Sequence, residues 1–227
     1  MVRVDPPRVE KGEVVPLTPE QTAVLLDTAE AHADPLLGLW TVAALTGARK
    51  SELLGLTWDD VNLEAGTLCI RPSTARKLKT RGSRRTLDLA PDAVAALIAH
   101  RDRQAFNRAA LGDGYAGLGL VFASEMGTPL DPDNVTKRFK RALKRAELPP
   151  TTRLHDLRHG AATMLLEAGE PVPAVSEYLG HASPAITMTI YAHAVPGASK
   201  RAAERLGSIL RNARNAPEEE TVTEAAV

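Results

Sequence analysis

Arg49 stands in the run Leu45-Thr46-Gly47-Ala48-Arg49-Lys50-Ser51-Glu52, just after a glycine suited to ending a helix and at the start of a short helical stretch. Arg49 and Glu52 are three residues apart, so both fall on one helical face. Taken alone, such a pair is a surface ion pair worth under about 1 kcal/mol. A second group is His155-Asp156-Leu157-Arg158-His159. Here His155 and Arg158 share a face, and an imidazole beside a guanidinium can hold an oxyanion or a phosphate by charge-assisted hydrogen bonds. His155 and His159 also have the spacing of two metal ligands, but no third ligand follows at a sensible distance along the chain. The third group is Tyr178-Leu179-Gly180-His181-Ala182-Ser183-Pro184, with Tyr191 ten residues beyond His181. His181 lies between a helix-ending glycine and the next helix start, where a side chain can project into a site. Tyr191 falls at the end of the short helix that Ser183 and Pro184 open. Tyrosines are more often core or interface residues than nucleophiles, and Tyr178, inside an amphipathic helix, keeps that ordinary reading.

The elements that must position these residues are marked by caps and breakers. Thr18-Pro19-Glu20-Gln21 combines an N-cap, a proline at the first helical position and a glutamine three residues on. Asp34-Pro35, Asp131-Pro132 and Ser183-Pro184 repeat the cap-then-proline pattern, and Gly47, Gly169 and Gly180 mark helix ends. Helices are predicted at 18–32, 35–46, 49–54, 91–110, 132–146, 155–168, 172–179, 184–190 and 198–213. In the helix at 91–110, Val94, Leu97, Ile98 and Ala105 form the apolar stripe. In the helix at 155–168, Leu157, Ala161, Met164 and Leu165 face the core. Strands are predicted at Thr67–Arg71 and Arg85–Leu89. A glycine-rich loop, Gly112 to Gly119, leads to the apolar run Leu120-Val121-Phe122. The class is mainly α with a small antiparallel β-sheet. Residues 1–16 read as a leader, 17–213 as one domain and 214–227 as an acidic, disordered tail.

Composition sets the outer bounds. The chain has 227 residues, 44% hydrophobic and 25% charged, enough for one large domain. Aromatics are 4%, so Leu, Ala, Val and Ile must fill most of the core. One cysteine, Cys69, excludes an internal disulfide framework and fits a reducing compartment. The most apolar stretch, Leu36 to Ala48, is broken by Gly38, Thr41, Thr46 and Gly47, and falls short of the roughly 18 residues that cross a membrane. A cytoplasmic protein is expected. The net charge is zero, but it is unevenly spread. Arg71 to Arg85 holds seven basic residues and no acid, and Lys137 to Arg145 holds six basic residues among nine. Both blocks are candidates for phosphate contact, balanced by acids elsewhere such as the four glutamates after Pro217.

The order of the groups carries more than any one of them. Arginine, then a basic hairpin with lysine, then His-x-x-Arg, then Leu-Gly-His, then tyrosine resembles the tyrosine recombinase or phage integrase family, from about Val15 to Arg211. The stretches LTGARKSELLGLTWDDVNLEAGTL, LHDLRHGAATMLLEAG and VSEYLGHASPAIT and the surroundings of Tyr191 carry the resemblance. It implies the catalytic-domain fold of DNA breaking-rejoining enzymes. It also implies that Arg49, Arg158 and His181 clamp the scissile phosphate as cationic donors, where transition-state charge builds. By the same resemblance Lys79, in the hairpin, is the general acid toward the leaving 5′ oxygen, with Lys77 as its rival. His155 accepts the tyrosine proton, Glu52 is an orienting partner, and Tyr191 is the nucleophile. The implied reaction is site-specific DNA recombination through a 3′-phosphotyrosyl intermediate. Covalent catalysis conserves the bond energy, so no cofactor and no metal is expected. The implied partner is double-stranded DNA, bound as a tetramer, with a monomer in its absence. The C-terminal helix has a family counterpart that docks on a neighbouring protomer, and without DNA it is expected to pack on its own domain.

Two departures from the family pattern stand out. Gly160 follows His159 where a hydroxyl residue is usual. The chain also begins almost at the catalytic domain, without the N-terminal helical domain of full integrases, so site recognition is expected to be weak. Three other readings compete: a DNA-binding domain without turnover, a type IB topoisomerase and a purely structural helical domain. The Leu-Gly-His motif and the short length favour the recombinase. Phosphate contacts from the two basic blocks predict that duplex binding, measured by fluorescence anisotropy, falls by at least about a hundredfold between roughly 50 and 200 mM salt. Salt-independent affinity would remove those blocks from the DNA interface.

Overall fold

The structure, a computed structural model, describes residues 16–71, 84–194 and 198–214. The helices are α1 (Pro19–Ala31), α2 (Leu37–Thr46), α3 (Lys50–Leu54), α4 (Pro91–Leu111), α5 (Pro132–Arg145), α6 (Asp156–Glu167), α7 (Val172–Leu179), α8 (Pro184–Ala194) and α9 (Ala198–Arg214). The strands are β1 (Val61–Asn62), β2 (Thr67–Ile70) and β3 (Arg85–Asp88). The class is the expected one, mainly helical with a small antiparallel sheet.

α2 organises the rest. Its sequence, LGLWTVAALT, is apolar on every side, and a helix of that kind must be buried all round. It packs against α1, α4 and α6 and runs on into α3. Leu39, Trp40 and Val42 are fully buried, and Trp40 meets Phe139 of α5 at a ring separation of 5.2 Å. Aliphatic residues do fill most of the core, yet Trp40, Phe122 and Phe139 are among its largest fully buried side chains. A second cluster, Ala161, Ala162, Leu166, Val175 and Leu179, joins α6 to α7, with Ile190 of α8 packed against it. The sheet has the order β1-β2-β3, with Val61 opposite Leu68 and Leu68 opposite Leu87. Strand alternation puts Leu68, Ile70 and Leu87 inward.

The predicted caps operate. The Thr18 hydroxyl accepts from the Gln21 N–H at 3.2 Å, and the Gln21 side chain accepts from the Thr18 N–H at 3.0 Å, a complete capping box. Asp131 accepts from the N–H groups of Asp133 and Asn134. Gly47 and Gly180 end α2 and α7 in the left-handed conformation, at φ 59° and 67°. At Asp34-Pro35 the helix starts two residues later than predicted. Asp34 is buried and spends its carboxylate on the Leu36 N–H and the Trp40 indole.

Four expectations need correction. The stripe of α4 is Ala93, Leu97 and His100, whereas Ile98 is 40% exposed and Ala105 is also exposed. Polar side chains shift it: the His100 ring bonds the Val121 carbonyl at 2.7 Å, and Gln104 bonds the Leu120 carbonyl and the Trp58 indole. In α6, Leu157 and Ala161 are buried and Leu165 packs partly buried against the core, as expected, but Leu166 takes the deep position in place of Met164. α8 continues to Ala194, so Tyr191 lies inside it and not at its end. α9 leaves Leu206, Ile209 and Leu210 more than half exposed, so this stripe is not packed on its own domain. The leader through residue 15 and the tail from residue 215 lie outside the described residues.

Gly47 is the tightest joint in this frame. A Cβ there would overlap Leu179 Cδ2, and Leu179 is fully buried between α6 and α7. Gly47→Ala is predicted to cost about 2–4 kcal/mol from left-handed strain and overpacking together. Urea unfolding measures it, and a loss below about 1 kcal/mol would mean the α2–α7 contact yields freely.

Candidate active site

The site begins at the C-terminal end of α2. A helix end leaves carbonyls without partners and carries partial negative charge. Two of these carbonyls are taken by residues more than a hundred positions away. The Tyr178 hydroxyl of α7 donates to the Leu45 carbonyl at 2.9 Å, and Arg158 Nη1 of α6 donates to the Gly47 carbonyl at 2.7 Å. Tyr178 therefore keeps its structural reading. Arg158 is 4% exposed, and its Nη2 is buried without a hydrogen-bond partner among the described residues.

Arg49 is the N-cap of α3, two residues beyond Gly47. Its Nη1 donates to Glu52 Oε1 at 2.8 Å and its Nη2 to the Gly180 carbonyl at 3.0 Å. Glu52 also accepts from the Arg49 backbone N–H at 2.9 Å. A third guanidinium enters from the sheet. Arg85, at the start of β3, donates from Nη2 to Glu52 Oε2 at 3.0 Å and from Nη1 to Oε1 at 3.3 Å. It lies against the Gly180 Cα so closely that a Cβ at 180 would stand 2.6 Å from Arg85 Nη1. Glycine is needed at 180 both for φ 67° and for this approach. Sequence reading counted Arg85 only as one base in a block. Its partner Glu52 is 33 residues away, and no local signal joins them.

His181 follows Gly180. Its backbone N–H donates to the Ser176 carbonyl at 2.9 Å, which closes the end of α7. Its Nδ1 is 2.7 Å from Thr187 Oγ1 of α8. Burial, together with the charges of Arg158 and Arg49, lowers its pKa to about 4. A pKa of about 4 favours the neutral ring at pH 7 when no anion is bound, so what His181 can donate depends on which nitrogen carries the proton. Arg158 feels the same crowding, and burial and Arg49 bring it down to about 10. His155 precedes α6 and is held by a tight loop. Asp156 accepts from the Arg153 N–H at 2.7 Å and from its guanidinium at 2.8 Å, and Lys140 of α5 donates to the Thr152 carbonyl at 2.6 Å. The His155 ring sits edge-on to His159 at 5.3 Å. Desolvation, His159 and Arg158 lower the His155 pKa, although the residue keeps a solvent-exposed edge.

The structure thus brings Arg49, Arg158, His155 and His181 together, with Glu52 and Arg85 behind them. Tyr191 lies on α8, one turn beyond Thr187, and its side chain is outside the described residues. Lys79 and its rival Lys77 also lie outside them. A cavity of about 250 Å³ lined by Pro35, His100, Arg103 and Glu125 contains none of the site residues. Chemically, the cluster is a set of fixed N–H donors with a proton acceptor beside it, suited to holding a tetrahedral or trigonal-bipyramidal oxyanion.

Among the described residues, Glu52 is the one carboxylate bonded to these guanidiniums. Burial acts to raise its pKa, but hydrogen bonds from Arg85 and the Arg49 backbone outweigh it and hold the pKa below the usual range. A depressed carboxylate stabilises the fold above its unfolded pKa, and that contribution fades as pH falls through the folded value. Glu52→Gln strands Arg85 and is predicted to cost about 3 kcal/mol at pH 7. It should also flatten the acid limb of the melting temperature below about pH 4.3, the ordinary glutamate value. Thermal melts against pH test both, and an unchanged melting temperature at pH 7 would contradict the bridging role.

The chain is similar to known proteins over most of its length. The phage integrase family model matches residues 16–197. A tyrosine recombinase XerC-like protein of Caldanaerobacter subterraneus subsp. tengcongensis is 31% identical over 217 residues, covering 87% of this chain and 55% of that protein. An integrase of Streptomyces ambofaciens is 36% identical over 193 residues, covering 77% of this chain and 48% of that protein. The chain spans about half the length of these relatives. Among solved structures, the Tn1549 transposon integrase in complex with transposon right end DNA is similar with a TM-score of 0.72 at 25% identity, over 88% of this chain and 68% of that one. XerA recombinase is similar with a TM-score of 0.68 at 25% identity, over 88% of this chain and 66% of that one. A family match across most of the chain, on a fold shared with these enzymes, means that the chain belongs to the phage integrase, or tyrosine recombinase, family.

Proposed function

We propose that this domain cuts and rejoins double-stranded DNA as a site-specific recombinase, with Tyr191 as its nucleophile. The observation that carries the reading is the buried, unpartnered Nη2 of Arg158 beside Arg49 and His181. A buried N–H without an acceptor is costly, and a phosphate oxygen would satisfy it. Arginine suits this place because its planar fork stays protonated even at a pKa of about 10.

In the proposed reaction Tyr191 Oη attacks the phosphorus, and the bond to the 5′ oxygen breaks. His155 takes the tyrosine proton, and Lys79 (or Lys77) protonates the leaving 5′ oxygen. The product is a 3′-phosphotyrosyl link with a free 5′ hydroxyl. A 5′ hydroxyl from a partner strand then attacks the link, the steps run in reverse, and Tyr191 is released. Arg49, Arg158 and the neutral His181 hold the non-bridging oxygens throughout. One ester is exchanged for another, so no nucleotide cofactor takes part. The exposed stripe Leu206, Ile209 and Leu210 of α9 supports docking between protomers, and a tetramer on DNA with a monomer in its absence is the assembly proposed. No helix among the described residues is long and apolar enough to cross a membrane, and the cytoplasm is the proposed location.

Covalent trapping tests the reading. The protein and Tyr191→Phe are incubated with nicked duplexes carrying the ends of the element, then run on a denaturing gel. A DNA-linked band is expected with Tyr191 and at least about a thousandfold less with phenylalanine, as for loss of a covalent nucleophile. A band surviving the substitution would mean another nucleophile. No band, even after an N-terminal DNA-binding domain is supplied, would leave a DNA-binding domain without turnover.

A further inference from the structure

Thr187 is fully buried on α8, between Ile186 and Met188, which are each about half exposed. Threonine hydroxyls inside helices usually bond back to the carbonyl four residues earlier. Thr22, Thr41, Thr46, Thr136 and Thr189 do so here, whereas the partly exposed Thr28 and Thr163 have no such bond. Thr187, although buried, has none either. Among the described residues its hydroxyl has one partner, His181 Nδ1 at 2.7 Å.

The direction of that bond decides what His181 can do. A neutral imidazole carries one N–H. Were Nδ1 protonated, it would donate to Thr187, and the hydroxyl proton of a fully buried side chain would have no acceptor. An orphaned buried donor is the more costly arrangement. With the hydroxyl donating to Nδ1, the buried hydroxyl proton is satisfied, and the imidazole N–H is on Nε2, which has no partner among the described residues. Only that tautomer can donate to a phosphate oxygen; the other would present a lone pair to an anion.

We infer that Thr187 is a positioning residue, whose hydroxyl donates to His181 Nδ1 and so holds the imidazole as the Nε2–H donor toward the scissile phosphate. The inference deepens the proposed function and rests on it for the phosphate. The same bond ties His181 to the helix that carries Tyr191, four residues beyond Thr187. A shift of α8 would therefore disturb the oxyanion donor and the nucleophile together. Tyr191 is thus registered to the phosphate site through a bond that touches neither reacting atom.

Two readouts separate this inference from the proposed function. In the 227-residue protein labelled with ¹⁵N-histidine, two-bond ¹H–¹⁵N correlations report the His181 tautomer, with His181→Gln used for assignment. Nε2–H is expected in the wild type and a mixed or Nδ1–H population in Thr187→Val, which keeps the shape and removes the hydroxyl. In single-turnover cleavage of the nicked duplex, Thr187→Val should be about tenfold to a hundredfold slower, the usual size for a group that orients a site residue. Thr187→Ser should recover within about threefold, roughly 0.6 kcal/mol in barrier by the same conversion. A wild-type Nδ1–H tautomer overturns the inference, as does a valine variant that cleaves like wild type or a serine variant as slow as valine. If the wild type forms no covalent product, the proposed function fails, while the tautomer measurement still judges the hydrogen bond by itself.

Discussion

Three guanidiniums gather around one carboxylate that bonds only two of them, and the rest of the structure is arranged around that imbalance. Arg49 and Arg85 both bond Glu52, while Arg158, deeper, has the Gly47 carbonyl on one nitrogen and, among the described residues, no partner on the other. Like charges held close in a poorly solvated crevice repel, and the lowered pKa of Arg158 records first its burial and then that repulsion. Such a cluster persists only where the surrounding fold supplies the missing negative charge. Here the supply is partial and comes from fixed backbone dipoles. The C-terminal end of α2 offers carbonyls to Arg158 and Tyr178, and the end of α7 offers the Gly180 carbonyl to Arg49. The charge left over is what an anion would find.

Backbone geometry makes those carbonyls available. Gly47 and Gly180 both turn left-handed, so each helix stops and exposes its last carbonyls sideways, toward the cluster. Both positions also allow a close approach, of Leu179 at Gly47 and of Arg85 at Gly180. Packing and electrostatics are therefore linked at two residues. The buried, all-apolar α2 fixes where its own end lies, and the cluster of Ala161, Leu166, Val175 and Leu179 fixes α6 and α7 against it. Displacement of any of these helices would separate a guanidinium from its acceptor.

Much of this was legible along the chain because its signals are local. The capping box at Thr18 and Gln21, the Asp131 cap and the glycines that end α2 and α7 each act within a few residues. Among the described residues, the nine α-helices and the two longer strands were placed by signals of this local kind. The two-residue β1 is too short to show alternation, and it forms only because β2 is beside it. The stripe of α4 misleads because His100 and Gln104, polar by type, are drawn inward by the carbonyls of Val121 and Leu120. In the site, Arg49, His155, Arg158 and His181 were named from their order along the chain. Arg85 and Thr187 were not: Arg85 looks like any base in a basic run until the fold sets it on Glu52, and Thr187 looks like any helical threonine until His181 comes within 2.7 Å.

The neutral histidine follows from the same imbalance. A fourth positive charge beside Arg158, Arg49 and Arg85 would raise the repulsion further, and the site avoids it by keeping His181 unprotonated. What remains is a donor without a net charge, whose usefulness depends wholly on which nitrogen bears the proton. A cationic imidazole has an N–H on both sides and needs no help with orientation; a neutral one must be set by its second nitrogen. Crowding of arginines therefore creates a demand that a distant hydroxyl must meet, and α8, the helix that carries Tyr191, is where the chain places it. The arginines that attract the anion therefore also determine how the histidine meets it.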